Sequence, residues 1–124
     1  MRIILLLLIV LLSPVSYAAD SNDIMVKEIE HLFDHIKDSE CRFKRNGKWY
    51  NADEAMEHIH NKYNYLVKRG LIHSTEQFIE RAASKSSMSG KPYMISCAET
   101  EPVTSSTWFQ KELTNFREKN TNSR

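Results

Sequence analysis

A chain of 124 residues with 41% hydrophobic and 27% charged side chains has the length for one small folded domain with a modest core, and too little room for several. Seventeen lysines and arginines face 16 aspartates and glutamates, a balance that argues against a general nucleic-acid binder, whose affinity would come from neutralising phosphates. Two cysteines with no Cys-x-x-Cys spacing exclude the usual redox pair.

The first 18 residues have the three parts of an export signal: a positive residue at Arg2, an apolar run from Ile3 to Leu12, and Ser16-Tyr17-Ala18 as a small-x-small cleavage site. Ser13 and Pro14 stop the run short of the roughly 20 apolar residues of a transmembrane helix, and an uncleaved anchor is the alternative. Cleavage after Ala18 leaves residues 19–124 as a single domain in the periplasm or outside the cell, with no membrane span.

Asp20 to Ser39 reads as the first helix, capped by Ser21 or Asn22, with Met25, Ile29, Leu32, Phe33 and Ile36 recurring on one stripe. His31 and His35 stand four apart beside that stripe with Glu28 on the same side. Such a pair can ligate a metal, but spacing supplies no third ligand, and no metal is assigned.

Cys41 to Tyr50 reads as a β-hairpin, because Asn46-Gly47 supplies the two positive-φ positions of a type I′ turn between alternating side chains. A two-residue loop sets Arg45 opposite Lys48, Lys44 opposite Trp49 and Phe43 opposite Tyr50. Cys41, Phe43 and Tyr50 then face the core, and Arg42, Lys44 and Trp49 face outward, with Lys44 over Trp49 as a cation–π pair.

The second helix opens at Asn51 with Glu54 three residues on, the spacing of a capping box, and ends at Lys68-Arg69-Gly70. Ala52, Ala55, Met56, Ile59, Tyr63 and Leu66 form its apolar face; His58 and His60 diverge and fall at its boundary. A short third helix capped by Ser74 or Thr75 turns Phe78, Ile79 and Ala82 inward.

The serine-rich run Ser84 to Gly90 is expected at the surface, leading through Lys91 and Pro92 into a strand in which Tyr93, Ile95 and Cys97 alternate. Ser89-Gly90-Lys91 is no nucleotide P-loop: the spaced first glycine is missing, Pro92 stands where Ser or Thr belongs, and a strand follows. Neither Gly-x-Ser-x-Gly nor Ser-x-x-Lys occurs there. A nest of backbone N–H groups holding a small anion beside Lys91 is open; so is a turn that satisfies its own hydroxyls. Ala98 to Pro102 reads as a turn, Thr104 or Ser105 caps a last helix carrying Trp108 or Phe109, Leu113 and Phe116, and Asn120 to Arg124 as a frayed tail.

The fold class is α+β: a small antiparallel sheet, made of the hairpin and one later strand, packed with about four helices in the order α-β-β-α-α-β-α. Exported cysteines on two core-facing strands predict a Cys41–Cys97 disulfide with Cα atoms within about 7 Å. A free thiol or an intermolecular bridge are the alternatives.

Cys41-x-Phe43-x-Arg45-Asn46-Gly47, Ala55 and His58, Lys62-Tyr63, Thr75-Glu76-x-Phe78-Ile79, Ser86-Ser87-x-Ser89-Gly90-Lys91-Pro92-Tyr93 and Trp108 follow one another in an order and spacing that resembles DUF5329, a family of small exported bacterial proteins of unknown function. The resemblance runs from about Ile24 to Phe116. It implies no activity, substrate or catalytic residue, and it directs attention to the Arg-Asn-Gly turn and the Ser-x-Ser-Gly-Lys-Pro-Tyr loop. The histidines of the first helix depart from the family pattern.

The expected function is a non-enzymatic binding or envelope-associated protein, its partner an envelope component or another protein, with no cofactor. Candidate binding residues are Arg42, Lys44, Arg45, Trp49, Ser87, Ser89, Lys91 and Tyr93. The alternatives are a small hydrolase or transferase in which His58 pairs with Glu57 or Asp53, and a purely structural envelope protein.

Overall fold

The computed structural model describes residues 11–12, 21–98 and 100–123, so the segment expected to be an export signal lies, apart from Leu11 and Leu12, outside the described residues. The elements are α1 (Ser21–Ser39), β1 (Arg42–Arg45), β2 (Lys48–Tyr50), α2 (Ala52–Lys68), α3 (Thr75–Ala82), β3 (Met94–Ser96), β4 (Val103–Thr104) and α4 (Ser105–Asn122). They form an α+β fold. No helix among the described residues is long and apolar enough to cross a membrane.

Local chemistry sets most boundaries. Ser39 Oγ donates to the Ile36 carbonyl at 2.7 Å and accepts from the Cys41 amide at 3.1 Å, and Glu40 takes φ 54°, so α1 turns directly into the hairpin. Asn46 and Gly47 both have positive φ, as a type I′ turn requires, and the register is Phe43↔Tyr50, Lys44↔Trp49 and Arg45↔Lys48. Asn51 and Glu54 form the capping box of α2. At its other end Gly70 N–H donates to Val67 and Leu71 N–H to Leu66, a Schellman pair that closes the helix. Ser74 caps α3 and Thr104 caps α4.

The sheet order is β2-β1-β3-β4, antiparallel throughout, with Phe43 opposite Ile95 and Arg42 opposite Ser96. One more residue along that register come Cys41 and Cys97, joined by a disulfide across a Cα separation of 4.4 Å. One face of the sheet buries Phe43 and Ile95 with Ile29, Leu32 and Ile36 of α1, Ala55 and Ile59 of α2, Phe78 and Ile79 of α3, and Phe109 and Leu113 of α4. The other face carries Arg42, Lys44, Trp49, Met94 and Ser96, exposed or half-buried.

The structure departs from the sequence expectations in four places. Strand β4 extends the sheet, with Val103 and Thr104 paired to Ile95 and Met94; two residues are too few to show alternation. Ser21 and Asn22 lie inside α1 rather than capping it. The tail expected to fray continues α4, with Thr121 Oγ1 donating to the Arg117 carbonyl and Ser123 Oγ to that of Lys119. Finally, the serine-rich run is not wholly superficial: Ser86 is buried, and the loop closes on itself through an antiparallel bridge between Lys85 and Pro92.

Candidate functional site

The hairpin and α2 enclose a cleft of about 290 Å³. Phe43, Ala55 and Ile59 give it an apolar floor, Tyr50, His58 and Tyr93 its polar wall, and Glu54, Glu57 and Asn61 line it from successive turns of α2. Arg45 reaches it because the strand period places it on the same face as Phe43. Its Nη1 donates to His58, 2.8 Å from Nδ1 and 3.0 Å from Nε2, and Nη2 donates to Tyr50 Oη at 3.4 Å. The guanidinium lies over the Tyr50 ring, 5.2 Å from its centroid.

Arginine can only donate, so His58 accepts from Nη1 at a ring nitrogen, and its Nε2 also stands 3.1 Å from Tyr93 Oη. Burial, with Arg45 and Lys62 nearby, holds the His58 pKa below the ordinary histidine value. Tyr93 is buried and its phenol is pushed up by desolvation. Lys62 stands behind it, 3.4 Å from Tyr93 Oη and donating to the Lys85 carbonyl at 2.6 Å, and burial together with Lys85 and Arg45 lowers its pKa. Neither Arg45 nor Lys62 forms an ion pair with a carboxylate among the described residues.

The candidate binding residues divide between this cleft and three other places. Arg45 and Tyr93 meet on His58. Lys44 also lines the cleft, while its ammonium lies 5.7 Å from the Trp49 ring centroid on the outer sheet face, which Arg42 shares. Ser89 is tied to the hairpin turn: its Oγ donates to Asn46 Oδ1 at 2.5 Å, Asn46 Nδ2 donates to Ser86 Oγ at 3.1 Å, and Ser86 Oγ accepts the amides of Met88 and Ser89. Hydroxyls and amides there satisfy one another, so the loop braces the turn that carries Arg45. Ser87 and Lys91 are exposed on its outside. The pairing of His58 with Glu57 or Asp53 is not formed; His58 touches a cation and a phenol instead.

His31 and His35 meet a partner the sequence did not indicate. Glu112 of α4 lies 2.7 Å from His31 Nε2 and 3.6 Å from His35 Nε2, and the rings stack on Phe116 and Trp108 at 4.1 and 4.3 Å. The two imidazoles lie nearly parallel with centroids 6.4 Å apart, so they do not converge on one ion. Among the described residues no group of three or more His, Cys, Asp or Glu is arranged to hold a metal. Burial and His31 lower the His35 pKa, against the pull of Glu112. Glu28, read from the sequence as a neighbour of these histidines, is buried elsewhere: it accepts from Thr75 Oγ1 at 2.7 Å and from Arg117 Nε at 2.6 Å.

Residues 24–117 match the family described as "Family of unknown function (DUF5329)". The chain belongs to that family. Over 51 residues it is 45% identical to "Uncharacterized protein YfeK" of Salmonella typhimurium strain LT2, a match covering 41% of each chain. No solved structure matches.

Proposed function

We propose that the chain is exported, loses residues 1–18, and serves the envelope as a non-enzymatic binding protein whose hairpin–α2 cleft takes a small ligand bearing an anionic group. The observation that carries this reading is Arg45: a half-buried guanidinium positioned in a cleft by an imidazole and a phenol, with no carboxylate partner among the described residues. Protein arginines at such depth are ordinarily paired, because an unmatched charge loses hydration without recompense. An anion in the cleft would complete the set, and the remaining guanidinium N–H groups form a fork suited to a carboxylate or phosphate. Lys62 adds positive potential from behind Tyr93.

The signal-like pattern of residues 1–18 supports a ligand met outside the cytosol. Native mass spectrometry of the protein recovered from bacterial cells tests both halves of the reading. A mass beginning after Ala18, carrying a small anionic adduct that Arg45→Gln loses, is the expected result. An intact leader contradicts export, and an adduct that persists in Arg45→Gln contradicts the cleft.

A further inference from the structure

Beyond Arg45, the cleft offers a ligand rings and hydrocarbon. Phe43 stands opposite Tyr50 in the hairpin register, the Arg45 guanidinium lies 5.2 Å from the Tyr50 ring centroid, and Ala55 and Ile59 follow one helical turn apart on α2. The rings of His58 and Tyr93 meet edge to face with centroids 6.1 Å apart. The hydroxyls deeper in the lining are already engaged. Ser105 Oγ donates to the Ala83 carbonyl at 2.6 Å, and Tyr93 Oη is shared between His58 Nε2 and Lys62 Nζ. A hydroxyl-rich ligand body would therefore give up its hydration in the cleft and find few partners there. Size narrows the choice further. An apolar cavity of about 150 Å³ admits benzene, and the 290 Å³ here accommodates one such ring together with a short acidic arm.

We infer that the ligand is an aromatic monocarboxylate of about ten non-hydrogen atoms, its carboxylate on the Arg45 fork and its single ring against Phe43, Tyr50 and Ile59. This names the chemistry of the anion proposed above and rests on that reading. A planar ring can make offset or edge contacts with the tyrosines and Phe43, which favour it beyond the area it buries. The carboxylate matches the paired N–H groups of a guanidinium. A single negative charge suits the cleft better than two, because Glu54 and Glu57 also line it and are exposed to whatever enters.

Isothermal titration of the purified protein with phenylacetate, acetate, gluconate and phenylacetamide separates charge, ring and polarity. Phenylacetate is expected to bind about ten- to thirtyfold more tightly than acetate, the gain from burying a ring in place of a methyl group. It should also bind more tightly than gluconate, a carboxylate of comparable size with a hydroxylated body. Phenylacetamide keeps the ring without the charge and should lose most of the affinity. Ala55→Leu fills the floor and should bring phenylacetate down toward acetate while leaving acetate unchanged. The ligand series is read on the unsubstituted protein and does not depend on that variant folding. Equal affinities for phenylacetate, acetate and gluconate, all lost in Arg45→Gln, would overturn this inference while the anion reading stands. Phenylacetamide binding as tightly as phenylacetate would overturn both. Failure of phenylacetate to bind also overturns the inference, and isobutyrate held in an Arg45-dependent way would then show that the anion reading survives.

Discussion

Arg45 Nη1 lies 2.8 Å from His58 Nδ1, and a guanidinium at that distance opposes protonation of the imidazole. Burial, Arg45 and Lys62 act in the same direction, and His58 is expected to titrate below 6.5. Following its ring protons by NMR between pH 8 and pH 4 checks this. Arg45→Gln should raise the midpoint without fully restoring the ordinary value, because burial remains. A midpoint at or above 6.5 in the unsubstituted protein would contradict the arrangement.

The same shift fixes the sign of a pH effect on stability. His58 and His35 both have folded pKa values below 6.5, so on acidification the unfolded chain takes up these protons first. Their contribution is fully present above about pH 6.5 and is lost as the pH falls from there through the folded values. Thermal midpoints measured from pH 7.5 down to pH 5 should therefore fall, and the slope should flatten in His58→Gln. A midpoint that rises over this interval would be inconsistent with it.

Glu28 and Arg117 tie α1 to α4 across 89 residues, through contacts of 2.6 and 3.0 Å. Burial alone would raise the Glu28 pKa; the hydrogen bonds from Arg117 and Thr75 overcome it and leave the pKa lowered. The stabilisation is therefore present above the ordinary carboxylate value of 4.5 and is lost as the pH falls through the lower folded value. Arg117 is 46% exposed against 7% for Glu28, which tempers the cost of losing it. Arg117→Ala should destabilise by about 1–3 kcal/mol in urea unfolding, by stranding a buried carboxylate, and Glu28→Gln should cost less. Equal stability of all three proteins would show the pair to be inert.

Reduction of Cys41–Cys97 releases a loop with a sequence separation of 56. Chain entropy puts the loss at up to about 4 kcal/mol, so the thermal midpoint should drop well below that of the oxidised protein. Far-ultraviolet circular dichroism should change little at low temperature, since each helix buries its own stripe in the shared core. Two free thiols in the non-reduced protein would contradict the bond.

What the sequence showed and what it hid follow from the range of the interactions. Asn46-Gly47, the Asn51–Glu54 box and the glycine after Lys68-Arg69 are chemistry within a few residues, and they delivered the hairpin register and the bounds of α2. Cysteines on alternating strands extended that reach to the β1–β3 pairing. The site is legible only in pieces: Arg45 and Tyr93 were singled out, yet nothing local says that His58 joins them from α2, 13 and 35 residues away. Counting periods of two from Phe43 would have placed Arg45 on the inner face. Glu28 was assigned to the wrong neighbours because helical spacing names a face and not what packs on it; Thr75 and Arg117 come from other helices. Strand β4 escaped because pairing, not alternation, defines a two-residue strand.

The most direct test of the cleft as a binding site is a two-dimensional amide NMR titration of the protein with isobutyrate, a small carboxylate with an apolar tail. Saturable shifts should cluster at Phe43, Arg45, Tyr50, His58 and Ile59, and should vanish in Arg45→Gln. Shifts that stay linear in concentration, or that centre on Lys44, Trp49 and Arg42 of the outer sheet face, would contradict a ligand site at Arg45.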